Sequence, residues 1–157
     1  MGTSITLFKL FGIEVRVHWS FVLILAYGAF AYSSGTTHWL TGALYGILVI
    51  SLLFVCVTLH EFGHALVAKR FKINVPHITL LPIGGVASLE RMPDKPMQEF
   101  LIAIAGPLVN FVIAGLLFPL LLVVRGTQNG ILGFDNVNEF LNQMQSPSLA
   151  SLLLYLV

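Results

Sequence analysis

The chain has 157 residues, 57% of them hydrophobic and 10% charged, with a mean hydropathy of +0.90; a soluble domain would carry about 25% charged residues. That composition excludes an ordinary soluble domain and predicts a multi-pass protein of the lipid bilayer. A net charge of +1 gives no basic field for nucleic acid, and the single cysteine, Cys56, excludes an internal disulfide and a CxxC metal signature.

Residues 5–18 alternate around Gly12, with Ile13, Val15 and Val17 on one side and Glu14, Arg16 and His18 on the other. A period of two predicts a short strand or hairpin at the membrane surface. Residues 19–33 form the first apolar segment, with Trp19 and Tyr32 as interface anchors. It is short against the roughly 20 residues a helical span needs. Ala29-Phe30-Ala31 resembles a signal-peptidase site, but the long, strand-like arm ahead of it favours a span. His38 falls in the polar turn that follows. The second span covers 40–68 and is closed by Lys69, Arg70 and Lys72; its Gly42 and Gly46 permit close helix contact, within one subunit or between two.

Near the end of that span lies His60-Glu61-Phe62-Gly63-His64. Ionisable groups at membrane depth are costly and need partners, so three of them in five residues point to function. On a helix, residues four apart share a face, and His60 and His64 can share one metal ion. Glu61 has the type and position of a general base toward a water at the metal.

Residues 76–90 are apolar but interrupted by Pro82, Gly84 and Gly85, which predicts two short strands around a turn. Non-helical backbone at membrane depth is tolerated where it is buried in protein or lines a wet cavity. A re-entrant β-hairpin beside the metal site meets that condition, and its edge could pair with an extended segment. An interfacial loop is the plainer alternative. His77 has no helical register to His64 and is not expected to be a ligand. After a polar linker, 100–124 is a third span of charge-free residues containing Asn110, which needs hydrogen-bond partners in lipid. A polar loop, 125–147, holds Asp135 and Glu139, and 148–157 starts a fourth apolar run. The predicted fold is an all-α polytopic membrane protein: three transmembrane helices and the start of a fourth, with an N-terminal strand or hairpin and a short re-entrant β-hairpin.

Alternating the spans places seven of the eight Lys and Arg on one side, which is therefore expected to be cytoplasmic together with the N-terminus. At about 1.5 Å per residue, His60 and Asn110 both fall roughly 14–16 Å inside that boundary. Their common depth marks Asn110 as a site residue on a neighbouring helix.

Four stretches now resemble the site-2 protease family of intramembrane zinc metalloproteases, in its bacterial and archaeal branch that often carries CBS domains. They are the arm from Gly12 to Ser20, His60-Glu61-Phe62-Gly63-His64, Pro82-Ile83-Gly84-Gly85, and Gln98-Glu99-Phe100 followed by Ala105-Gly106-Pro107-Leu108-Val109-Asn110. The resemblance implies cleavage of transmembrane segments of regulatory proteins, with His60 and His64 binding Zn2+ and Glu61 as base. It implies Asn110 near the scissile bond as an oxyanion donor, and Gly84 and Gly85 in a substrate-side hairpin. The family's third ligand is an Asp of an Asp-Gly pair on the next span, and no Asp-Gly occurs here. Asp94 and Glu99 are expected at the surface, and Asp135 and Glu139 on the far side. The chain is therefore expected to be an N-terminal fragment, inactive alone.

A catalytically incomplete membrane zinc-binding or adaptor protein is the main alternative. A membrane protease of another HExxH class is disfavoured by the Gly-Pro-x-x-Asn element, and a transporter by the unbroken second span and the lack of paired repeats.

Overall fold

The computed structural model describes residues 4–34 and 38–129, with 152, 153 and 156. In chain order it contains β1 (Ser4–Leu10), β2 (Ile13–His18), α1 (Phe21–Ser33), α2 (Trp39–Arg70), β3 (His77–Leu81), β4 (Gly84–Ala87) and α3 (Pro96–Asn129). Two of these helices, α2 and α3, are long and apolar enough to cross a membrane. The acids Asp135 and Glu139 lie outside the described residues, as does the expected fourth span at 148–157 apart from 152, 153 and 156.

At 13 residues, α1 is about 20 Å long, short of a hydrocarbon core of about 30 Å. Its end follows from local chemistry: the hydroxyls of Ser33 and Ser34 bond back to the carbonyls of Phe30 and Ala31. Such side-chain bonds compete with continued helix. By contrast, Ser51 and Thr58 within α2 satisfy their hydroxyls on the carbonyls four residues earlier, as a helix in lipid requires.

The expected N-terminal strand or hairpin and the separate short β-hairpin form one four-stranded sheet, in the order β1-β2-β3-β4. β1 and β2 are antiparallel, turning through Phe11 (φ 51°) and Gly12 (φ 77°). β3 and β4 are antiparallel around Pro82 and Ile83. The two hairpins are joined by parallel pairing of β2 with β3, from Glu14 opposite His77 to Val17 opposite Leu80. Alternation therefore sorts the residues twice over: Ile13, Val15, Ile78 and Leu80 point inward and are buried. Glu14, Arg16, His77 and Thr79 share the other face. There Arg16 contacts Glu14 at 2.7 Å and holds its carboxyl below the usual range.

The chain falls into two compact units. The first, Met1–Ile24 with Phe54–Phe111, has its core where the inner face of the sheet meets Phe62, Ala65 and Ala68 of α2 and Ile102 of α3. Burying a side chain such as Ile78 stabilises the fold by about 1.5–3 kcal/mol. The turn after α2 delivers β3 to this core. The amide of Ile73 reaches the Ala68 carbonyl at 3.0 Å, and that of Lys72 the Lys69 carbonyl at 2.9 Å. Lys72 (φ 60°) occupies the left-handed position of this helix stop, where glycine is usual.

The second unit comprises Leu25–Leu53 and Val112–Val157. In it, α1 and α2 approach at Gly28 and Gly46, where a Cβ on Gly46 would overlap the Gly28 carbonyl. Gly46 is thus used for packing within the chain.

Candidate metal centre

His60, Glu61 and His64 lie on one uninterrupted turn of α2, and the two imidazoles converge. Their Nε2 atoms are 3.0 Å apart, with ring planes at 74°. Nitrogens sharing a tetrahedral zinc at bonds of about 2.0–2.1 Å would sit roughly 3.3 Å apart, so the pair fits one metal ion with little movement.

Which nitrogen keeps a free lone pair is set by the neighbour. His64 Nδ1 lies 2.6 Å from the Ile102 carbonyl, which can only accept, so Nδ1 carries the proton and Nε2 the lone pair. This carbonyl fixes the ring with Nε2 turned toward His60. His60 lacks such a guide: its Nδ1 is buried and has no hydrogen-bond partner among the described residues.

Two glycines make the arrangement sterically possible. A Cβ on Gly106 of α3 would overlap Nε2 of His64 and stand 2.6 Å from Nε2 of His60. A Cβ on Gly85 of β4 would stand 2.5 Å from Cγ of Glu61 and 3.3 Å from Cγ1 of Val57. A third, Gly63, brings α2 against the Ala105 carbonyl of α3, 2.7 Å from where its Cβ would be. Helix, helix and strand therefore meet on backbone, and the polar side chains occupy the space that side chains at these positions would fill.

Of the six residues expected at the site, His60, Glu61, His64 and Gly85 are brought together. Gly84 (φ 138°) begins β4 with open space around it, a hairpin position that suits glycine alone. Asn110 is exposed on α3. It is one turn beyond Gly106, and Ile102, Gly106 and Asn110 form one stripe of that helix. Gly106 and the Ile102 carbonyl also contact the histidines, beyond the six residues expected. The available signal was a glycine immediately before Pro107 in a charge-free helix, a pairing that helix propensity alone disfavours.

No group of three His, Cys, Asp or Glu side chains suited to a metal occurs among the described residues. Asp94 pairs with Arg91 at 3.3 Å and is exposed, and Glu99 lies exposed in the first turn of α3. Neither joins the histidines, as their linker position leads one to expect.

Residues 48–154 match the model of peptidase family M50. A zinc metalloprotease of Methanocaldococcus jannaschii is 42% identical over 113 residues, covering 72% of this chain and 31% of that protein. Among solved structures, the site-2 protease from the same organism superposes with a TM-score of 0.60 at 34% identity, covering 98% of this chain and 60% of that one. The chain thus spans about a third of the length of that curated relative. With the family model fitted across most of its length, the chain belongs to peptidase family M50, the site-2 protease family.

Proposed function

We propose that this domain is the metal-binding core of an intramembrane zinc metalloendopeptidase that hydrolyses peptide bonds within transmembrane segments of regulatory membrane proteins. The observation that carries this reading is the convergence of His60 and His64 at 3.0 Å, with Glu61 alongside, inside an apolar helix.

His60 and His64 would hold zinc through Nε2, and a third ligand would come from outside the described residues. Zinc, when bound, supplies Lewis acidity toward a peptide carbonyl and an attacking water. Glu61 takes a proton from that water as its oxygen attacks the carbonyl carbon, then returns one to the amine nitrogen as the C–N bond breaks. Asn110, on the Gly106 stripe of α3, donates an amide N–H to the developing oxyanion. β4 is an edge strand beside Glu61, so a substrate unwound from its helix can add there as a further strand, with Gly84 and Gly85 allowing close approach. His60 precedes the end of α2 by ten residues, about 15 Å. Water would reach it from the side bearing Lys69 and Arg70, which the positive charges mark as cytoplasmic.

In proteoliposomes containing a cleavage-competent protein with this domain and a transmembrane substrate, chelation is expected to stop cleavage and added zinc to restore it. Cleavage that survives complete zinc removal would overturn the reading. Gly85→Ala should lower kcat at least tenfold with zinc still bound, because the methyl meets Cγ of Glu61; an unchanged kcat would remove Gly85 from the site.

The alternative of a zinc-binding or adaptor protein rests on the two-ligand set among the described residues. Equilibrium zinc titration of the 157-residue chain separates the cases. Weak binding lost in His60→Ala is expected from two ligands alone, whereas tight stoichiometric binding would mean that the chain itself supplies a third.

A further inference from the structure

We propose that the β1–β2 hairpin is a foot that binds the anionic lipid–water interface. In the β1–β2 register Ile5 pairs with Val17, Phe8 with Val15 and Leu10 with Ile13, so all six side chains belong to the inward, apolar face of the sheet. Yet Ile13 and Val15 are fully buried, while Ile5, Phe8 and Leu10 are 70%, 47% and 44% exposed. The helices cover β2 and β3, and β1 overhangs them. Leu7, at the register shift, and Phe11, at the turn, extend the same uncovered apolar strip.

Position and charge identify lipid as the occupant. The hairpin runs directly into Trp19, an exposed indole at the foot of α1. Its tip is tied to the end of α2, where Lys69 Nζ donates to the Phe11 carbonyl. The hairpin tip is thereby held at the level where α2 turns basic. Lys69 and Arg70 close that helix and Lys72 follows in the turn, while Lys9 stands on the opposite face of β1, across from Glu14. Glu14 is engaged by Arg16 at 2.7 Å, leaving Lys9 a looser contact at 3.8 Å with its side chain 61% exposed. Exposed apolar residues bordered by such cations match an anionic headgroup layer above acyl chains. The proposal requires only that α2 and α3 span the bilayer, and it is independent of the metal centre.

Nitroxide labels at Phe8→Cys and Phe11→Cys, in a Cys56→Ser background, test it in vesicles of phosphatidylcholine with and without phosphatidylglycerol. Accessibility to oxygen over a water-soluble nickel chelate should be several-fold above that of an aqueous label. It should rise further with phosphatidylglycerol, and the combined Lys9→Gln and Lys72→Gln change should abolish that rise. A label at Leu116→Cys on α3 reports whether the helix itself lies in hydrocarbon. If Leu116 is in hydrocarbon while Phe8 and Phe11 are water-like, or screened from both reagents as beneath a covering protein, the proposal is overturned. Equal depth in the two lipid mixtures overturns its anionic preference.

Discussion

Glu61→Gln, in a cleavage-competent protein carrying this domain, should reduce kcat by about 10²–10⁴-fold, the range general base catalysis contributes. The substitution keeps the shape of the side chain, so its Cγ can still pack beside Gly85. It removes only the capacity to accept a proton. Zinc held by the two imidazoles should remain, and metal analysis of the purified variant would show the same content as the parent. Retained cleavage would sink the base assignment, and loss of zinc would mean that Glu61 is a ligand.

Gly106→Ala should lower zinc affinity by about 10–100-fold, the scale on which disturbed support of a ligand acts. The added methyl would occupy the space where Nε2 of His64 and of His60 now converge. Glycine within a helix costs about 0.5–1 kcal/mol relative to alanine, so the same change favours α3 as a helix. Thermal unfolding and zinc titration should therefore not fall together, which separates a local clash from general misfolding. Gly115→Ala is the matched control on the same helix, with nothing within 4 Å of its Cβ position. Its zinc affinity should be unchanged, and equal losses in both variants would remove Gly106 from the centre.

The convergence of His60 and His64 was readable because their relation is local: a spacing of four on one helix defines a shared face. Gly85 was readable as part of a hairpin, since Pro82 and the two glycines allow little else. Contacts between distant segments were not. The Ile102 carbonyl is a backbone atom, and no residue type marks it as the partner of His64. Gly106 matters through the side chain it lacks, and only the approach of α3 to α2 reveals that. The parallel joining of β2 to β3 was hidden for the same reason, because each hairpin alternates correctly on its own. The length of α1 shows another limit. Apolar residues continue to its end, and the helix stops where the serine hydroxyls take over the local carbonyls.

That parallel joint also imposes an order on synthesis. Val15 pairs with Ile78, and all of α1 and α2 lie between them. At about 5–20 residues per second, roughly 3–13 s separate the appearance of the two partners. During that interval the first hairpin exists alone, and an isolated two-stranded hairpin is marginal in water. Both helices must be made before β3 can arrive, and β4 docks beside Glu61 only afterwards. The Glu61 side chain is thus made early and enclosed late, so a nascent chain stalled near residue 75 would carry both histidines and the glutamate without the strand that flanks the glutamate.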